Sequence, residues 1–302
     1  MTMRCSIPRS PLVASALFAL SFFSGGAHAQ DAAAPKPHWS GLPIWGVEAE
    51  AKGYQIPYPF GIGITAYSAR QPVNIQDLQL GRNGPPVSVK NFVQINTVDT
   101  SQQNISAKFD VLVFPFLDVY VLGGYTTGTT KGLIQVPAEP ILGIGIIDPR
   151  ELQLNASFNG PTYGAGVTLQ GGGKVSNWHD LTAIAVVDWN RTQTKLSFEN
   201  EALIADTKPI ATVFSARVGL HATVGNSNGA AVWVGAMHQS IQQEVAGSVA
   251  NTDLQFIVIQ SPTQPWNTLL GGLFEFGKDG YVLLEGGLGA RKSILAAAVY
   301  RF

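Results

Sequence analysis

Charge is scarce in this sequence. Only 13% of its 302 residues are Asp, Glu, Lys or Arg, against roughly a quarter in an average soluble domain. Hydrophobic residues stand at an ordinary 45%. There is enough apolar material to bury, but too little charge to cover a water-facing surface of this size. The 19 basic and 20 acidic residues form no cluster. That excludes a basic face for nucleic acid and a charge-rich disordered chain. No heptad run is present, which excludes a coiled coil. Cysteine is nearly absent, with Cys5 alone. Convincing amphipathic helices are missing. After residue 30 no window of ~18 consecutive apolar residues would cross a bilayer as a helix. Glycine is abundant instead: 33 residues, roughly 11% of the chain against a typical ~7%.

Met1 to Ala29 reads as a secretory signal peptide. Arg4 and Arg9 make a positive start, Leu12 to Phe23 is an apolar run, and Ala27-His28-Ala29 is a small-x-small cleavage site before Gln30. The apolar run is shorter than the ~20 residues of a spanning helix. Cleavage after Ala29 removes Cys5, so the mature chain forms no disulfide and no thiolate metal site. It also removes Arg4 and Arg9, leaving 17 basic against 20 acidic residues, a formal charge of −3. Residues 30–55 are a Pro-rich N-terminal arm with Pro35, Pro37 and Pro43. A loosely held arm is favoured over a segment tucked into the body.

Residues 56–302 follow a period of two. Ile105, Ala107, Phe109, Val111 and Val113 alternate with Ser106, Lys108 and Asp110. Leu117, Val119 and Val121 alternate with Asp118 and Tyr120. Phe214, Ala216, Val218 and Leu220 alternate with Ser215, Arg217 and His221. Ile294, Ala296, Ala298, Tyr300 and Phe302 share one face of the last run. These runs approach ten residues, nearer a tilted membrane strand than a sandwich strand of ~5–6. Their second face is small and mildly polar, which suits the inside of a barrel with an apolar outside.

The last run ends in Phe302 with Tyr300 two residues before it. Together with the leader and the sustained alternation, this resembles bacterial, Gram-negative outer-membrane β-barrel proteins. The resemblance implies that Tyr300 and Phe302 are the pattern read by the barrel-assembly machinery. It also implies an all-β antiparallel transmembrane barrel in the outer membrane, surrounded by its lipid, with short periplasmic turns and longer extracellular loops. About twelve strands are expected, with ten as the alternative. Phe302 then lies on the periplasmic side, Gly277 to Gly280 and Phe114-Pro115-Phe116 are tight periplasmic turns, and 129–155 is an outer loop with strand extensions. Pro57 to Ser68 and Val73 to Leu80 are expected to form an opening hairpin, followed by Val87 to Asn96. Trp189, Phe274, Phe276, Tyr300 and Phe302 are expected in aromatic girdles.

Little in the chain points to chemistry. His38, His179, His221 and His238 have no metal-pair spacing. His238 with Ser240, and His221 with Ser215, lack an orienting acid for a lipid hydrolase. Gly171-Gly172-Gly173-Lys174 has neither the spacing nor the Ser or Thr of a phosphate loop. No catalytic residue, metal or cofactor is assigned. The charges are more informative. By strand parity Lys108, Asp110, Asp118, Asp188, Arg217, Glu275, Glu285 and Arg301 face the lumen, where ionisable groups are functional candidates. They would either line a constriction for ions or small solutes or pair across the lumen and plug it. The leading expectation is a small passive channel. The alternative is a closed structural or surface-interaction barrel, and a lipid hydrolase is the weakest reading.

Overall fold

The computed structural model describes residues 41–302, apart from 53, 83, 92–93, 96–97, 137–139, 142–144, 147–149, 201–202, 226 and 250–252. The leader, its cleavage site, residues 30–40 of the arm and His38 lie outside the described residues. No described helix is long and apolar enough to cross a membrane.

The strands in chain order are β1 (Phe60–Arg82), β2 (Val98–Phe114), β3 (Leu117–Val136), β4 (Arg150–Lys174), β5 (Thr182–Thr194), β6 (Leu196–Asn200) and β7 (Leu203–Thr207). They continue with β8 (Ile210–Val224), β9 (Asn228–Val249), β10 (Leu254–Pro262), β11 (Trp266–Glu275), β12 (Gly280–Leu288) and β13 (Lys292–Arg301). Ten of them, β1-β2-β3-β4-β5-β8-β9-β11-β12-β13, pair antiparallel in a ring, and β13 closes on β1. Closure leaves no strand edge unpaired at that level.

The register defines how the ring closes. Ala230 faces Phe274, then Val282, Ala298, Ile64, Ala107, Gly123, Tyr163, Gln193 and Ile210 in turn. Ile210 faces Gln242, back on β9 but twelve residues further along. A stagger of this size over ten strands goes with the ~35–45° tilt usual in closed barrels.

The count is therefore ten, the alternative expectation, and not twelve. The excess arose at the start of the chain. The expected hairpin of 57–68 and 73–80 is one 23-residue strand, β1. Its Pro72 lacks a donor and looks like a break in sequence. In the barrel it falls where β1 changes partner on one side. Pairing with β13 ends at Arg70, and pairing with β10 begins at Val73. A proline at that seam breaks no ladder bond to those two strands. The expected third strand at 87–96 reduces to two-residue bridges at Val87–Ser88 and Gln94–Ile95.

The partner change also narrows the barrel. The β12–β13 hairpin is short and turns back at 289–291. Above it β10 bridges directly from β9 to β1. Strands β6 and β7 extend β5 and β8 in unbroken register. The ring is thus ten-stranded at the end holding the short turns and eight-stranded toward the loops: β1, β2, β3, β4, β6, β7, β9 and β10.

Residues 41–59 close against the turn end. A one-and-a-half-turn helix, α1 (Gly46–Ala51), is preceded by Trp45, which packs on Phe114 and Phe116 at 5.0 and 6.2 Å. Lys278 in the 276–279 turn holds Glu50 at 2.6 Å.

Candidate functional site

The outside and the inside of the wall differ as strand alternation dictates. Outside, Ile62, Ile64, Ile105, Val121, Val218, Val232, Leu270, Leu284 and Ile294 are exposed. A continuous apolar band of this size has no place on a protein surrounded by water. Aromatics flank it. Phe60, Phe302 and Tyr300 stack in a row at the turn end, with Phe274 against Phe276 beside them. Tyr125, Tyr163, Trp189, Phe214 and Trp266 form a second row toward the loops, each partly exposed. Trp189 is thus mid-strand on β5 rather than at a strand end.

Inside is a cavity of about 650 Å³. Its lining runs from Gln243, Ser261 and Pro262 at the loop end to Gln55, Gly277 and Lys278 at the turn end. Of the eight lumen charges, seven line it and Asp110 is buried against two of them. The structure brings them into four groups in the turn-side part of the wall. Lys108 sits 3.0 Å from Asp110 and 3.7 Å from Asp118. Arg301 reaches the same two acids at 2.8 and 3.8 Å and donates to the Tyr58 carbonyl at 3.1 Å. Two cations and two carboxylates thus form a closed quartet, whose mutual attraction offsets the cost of burying each charge. Arg217 clasps Glu285 through Nε at 2.6 Å and Nη2 at 2.9 Å. The same clasp is braced by Ser215, which accepts from Arg217 at 2.8 Å, and by Trp233, whose indole donates to Glu285 at 2.7 Å. Such a forked pair fixes geometry as well as charge. His221 lies 2.9 Å from Glu275. Asp188 accepts from the Tyr120 hydroxyl, the Thr168 hydroxyl and the Asn190 amide, each at 2.9 Å.

Toward the loops the lining turns neutral. Asn104 donates to Thr126 at 2.9 Å, and hydroxyls then link Thr126 to Thr162 at 2.7 Å and Thr162 to Thr194 at 2.9 Å. Thr100 and Thr130 pair at 3.2 Å above them. Higher still, Ala205, Val245 and Phe256 cluster with Leu80 and Val258 inside the eight-stranded part. The lumen is thus charged and self-paired near the turns, hydroxyl- and amide-lined in the middle, and apolar at the loop mouth.

Several contributors were not singled out by alternation. Tyr120 shares a face with Asp118 and was readable. Trp233 reads as one more lipid-facing aromatic until its parity with Gly235 and Gln239 is followed. Arg291 lies in a turn, where parity says nothing. The candidate hydrolase pairs do not assemble. His221 faces inward to Glu275, whereas His238 lies on Trp266 at 4.9 Å, opposite Phe214 on the outer side. Ser215 is taken by Arg217. Among the described residues no three His, Cys, Asp or Glu side chains gather as a metal site.

No family model matches this chain, and no curated protein does. Solved structures with a similar fold include the outer membrane protein OprG from Pseudomonas aeruginosa, 10% identical with a TM-score of 0.42, over 82% of this chain and 98% of that one. The transport unit of the autotransporter AIDA-I from Escherichia coli matches at 10% identity and a TM-score of 0.36, over 81% and 90%. The toluene transporter TodX from Pseudomonas putida matches at 9% identity and a TM-score of 0.28, over 81% and 88%.

Proposed function

We propose that this protein is an outer-membrane β-barrel that passes small polar solutes passively through its lumen. The observation that carries the reading is the cavity whose lining extends from Ser261 and Pro262, below the apolar cluster, to Gln55 and Lys278 at the turns. The apolar band and its two aromatic rows support a lipid setting. On this reading residues 1–29 export the chain and leave after Ala29, and Tyr300 and Phe302 present the final strand to the assembly machinery. The loop end then faces outward and the turn end faces the periplasm. The lumen charges act mainly on each other. Apart from Arg291, the free lining is therefore neutral hydroxyl and amide, which suits small solutes more than large ions.

Liposome swelling tests this. Proteoliposomes holding the refolded barrel should swell in a small polyol and fail to swell in a disaccharide. No swelling in any solute would instead favour a closed barrel whose 129–155 loop serves as a contact surface. The apolar cluster of Ala205, Val245 and Phe256 at the mouth is the observation on that side.

A further inference from the structure

The lumen cations at 108, 217, 221 and 301 each face a carboxylate, but Arg291 does not. It sits in the 289–291 turn that ends the short β12–β13 hairpin, at the level where the ring narrows. Its side chain turns inward and is 1% exposed. Nη1 donates to the Gln239 amide oxygen and Nη2 to the Pro265 carbonyl at 3.2 Å. Both acceptors are neutral. No carboxylate lies within ion-pair distance of it among the described residues. A guanidinium stays charged in any protein setting, so this corner of the wall carries an uncompensated positive charge. It also carries polar atoms with nothing to bind. Arg291 Nε, the Gln71 side-chain oxygen and both amide atoms of Asn267 have no hydrogen-bond partner. Gln71 is 6% and Asn267 4% exposed. Asn267 lies against Gly287 and Gly289 just before Arg291, and Gln71 follows Arg70, which pairs with Lys292 just after it. A buried polar atom left unpaired is costly, and three such side chains around this turn point to a missing partner.

We propose that Arg291, with Asn267 and Gln71 beside it, forms an anion site in the lumen wall, and that the solutes this barrel favours include small monocarboxylates. The planar guanidinium edge suits a carboxylate, and a side-chain amide donates to one whichever way it is turned. Tyr67 also hydrogen-bonds Arg291, and the Glu285 carboxylate that acts on the same tyrosine is clasped by Arg217, so the field of Arg291 is not cancelled locally. An anion entering from the loop mouth passes the apolar cluster and meets this charge before it reaches the clasped Glu285. The charged quartet further down is already neutralised and adds no opposing barrier. Rings of cationic side chains confer anion preference in pores by the same physics. The transport half of the proposal rests on the channel reading above; the binding half does not.

The test has two arms. In planar bilayers under a tenfold potassium acetate gradient, wild-type current should reverse on the acetate side of zero. Arg291→Gln should lower the acetate-to-potassium permeability ratio at least ~3-fold, and Arg291→Lys, which keeps the charge, should retain most of it. Equal ratios in wild type and Arg291→Gln overturn the selectivity claim while leaving the channel reading intact. Absence of current in every protein overturns the channel reading instead. The second arm needs no conduction. Sodium acetate, compared with sodium chloride at equal ionic strength, should raise the unfolding temperature of the detergent-folded wild type. Arg291→Gln, shown to be folded by its heat-modifiable gel mobility, should give no acetate-specific rise. No acetate-specific rise in wild type overturns the site.

Discussion

Asp110 shows at the level of one residue how this lumen is held. It is fully enclosed and meets Lys108 at 3.0 Å and Arg301 at 2.8 Å. Removing its charge leaves two cations with Asp118 alone between them. Asp110→Asn should therefore approach the ~3–5 kcal/mol lost when one partner of a buried pair is deleted. Urea unfolding of the refolded barrel, followed by tryptophan fluorescence, measures it, and a loss below ~1 kcal/mol would show a solvated cluster. Asp77, beyond the membrane band, behaves differently. Ser88 donates to it at 2.5 Å and Gln79 at 2.8 Å, and these bonds hold its carboxyl below the ordinary value. A lowered folded value means its contribution is present above the unfolded value of ~3.9 and is lost as pH falls through the folded one. The Val89 amide bonds the Leu78 carbonyl beside it at 2.8 Å. Its exchange protection should hold from pH 7 to 5 and drop below ~4; protection unchanged at pH 2 would contradict the assignment. Residues of the Asp77 kind are invisible in sequence, because a partner such as Ser88 comes from a segment without period. Alternation assigns a face to every strand residue, and so gave each of the eight charges a side of the wall. Their pairing was not legible, since Arg301 with Asp110 and Arg217 with Glu285 depend on a stagger that no single strand contains.

Among the elements, β1 is the most instructive. Its alternation is clear to Ser68 and resumes at Val73, with Arg70-Gln71-Pro72 between. Read alone, that is a turn. In the barrel it is the seam where β13 gives way to β10, a fact that lives some 190 residues later in the chain. The last three strands were readable almost to their ends, because their turn is local. The 276–280 connection shows why. Gly280 takes φ 153, and a Cβ there would lie 2.1 Å from the Val299 carbonyl oxygen. Gly280→Ala should cost ~1–3 kcal/mol, the range for a side chain forced into such a backbone region. The urea midpoint should fall without a change in the denaturant slope. An unchanged midpoint would mean the turn relaxes freely and does not set the β11–β12 register.

For the whole molecule, the all-β class and the two faces of each strand followed from periodicity, whereas the narrowing from ten strands to eight did not. Narrowing requires one hairpin to stop short and a distant strand to close above it. That geometry also places the apolar cluster of Ala205, Val245 and Phe256 across the loop mouth. If that cluster limits entry, Phe256→Ser should raise conductance by wetting the constriction, and no change would remove the mouth from the account. A passive channel requires above all that the lumen conducts, and single-channel recording of the refolded wild-type barrel in a planar bilayer measures that directly. Discrete, reproducible steps, smaller than those of 16–18-stranded porins, are the predicted result. A folded, heat-modifiable barrel that inserts and shows no steps would contradict it.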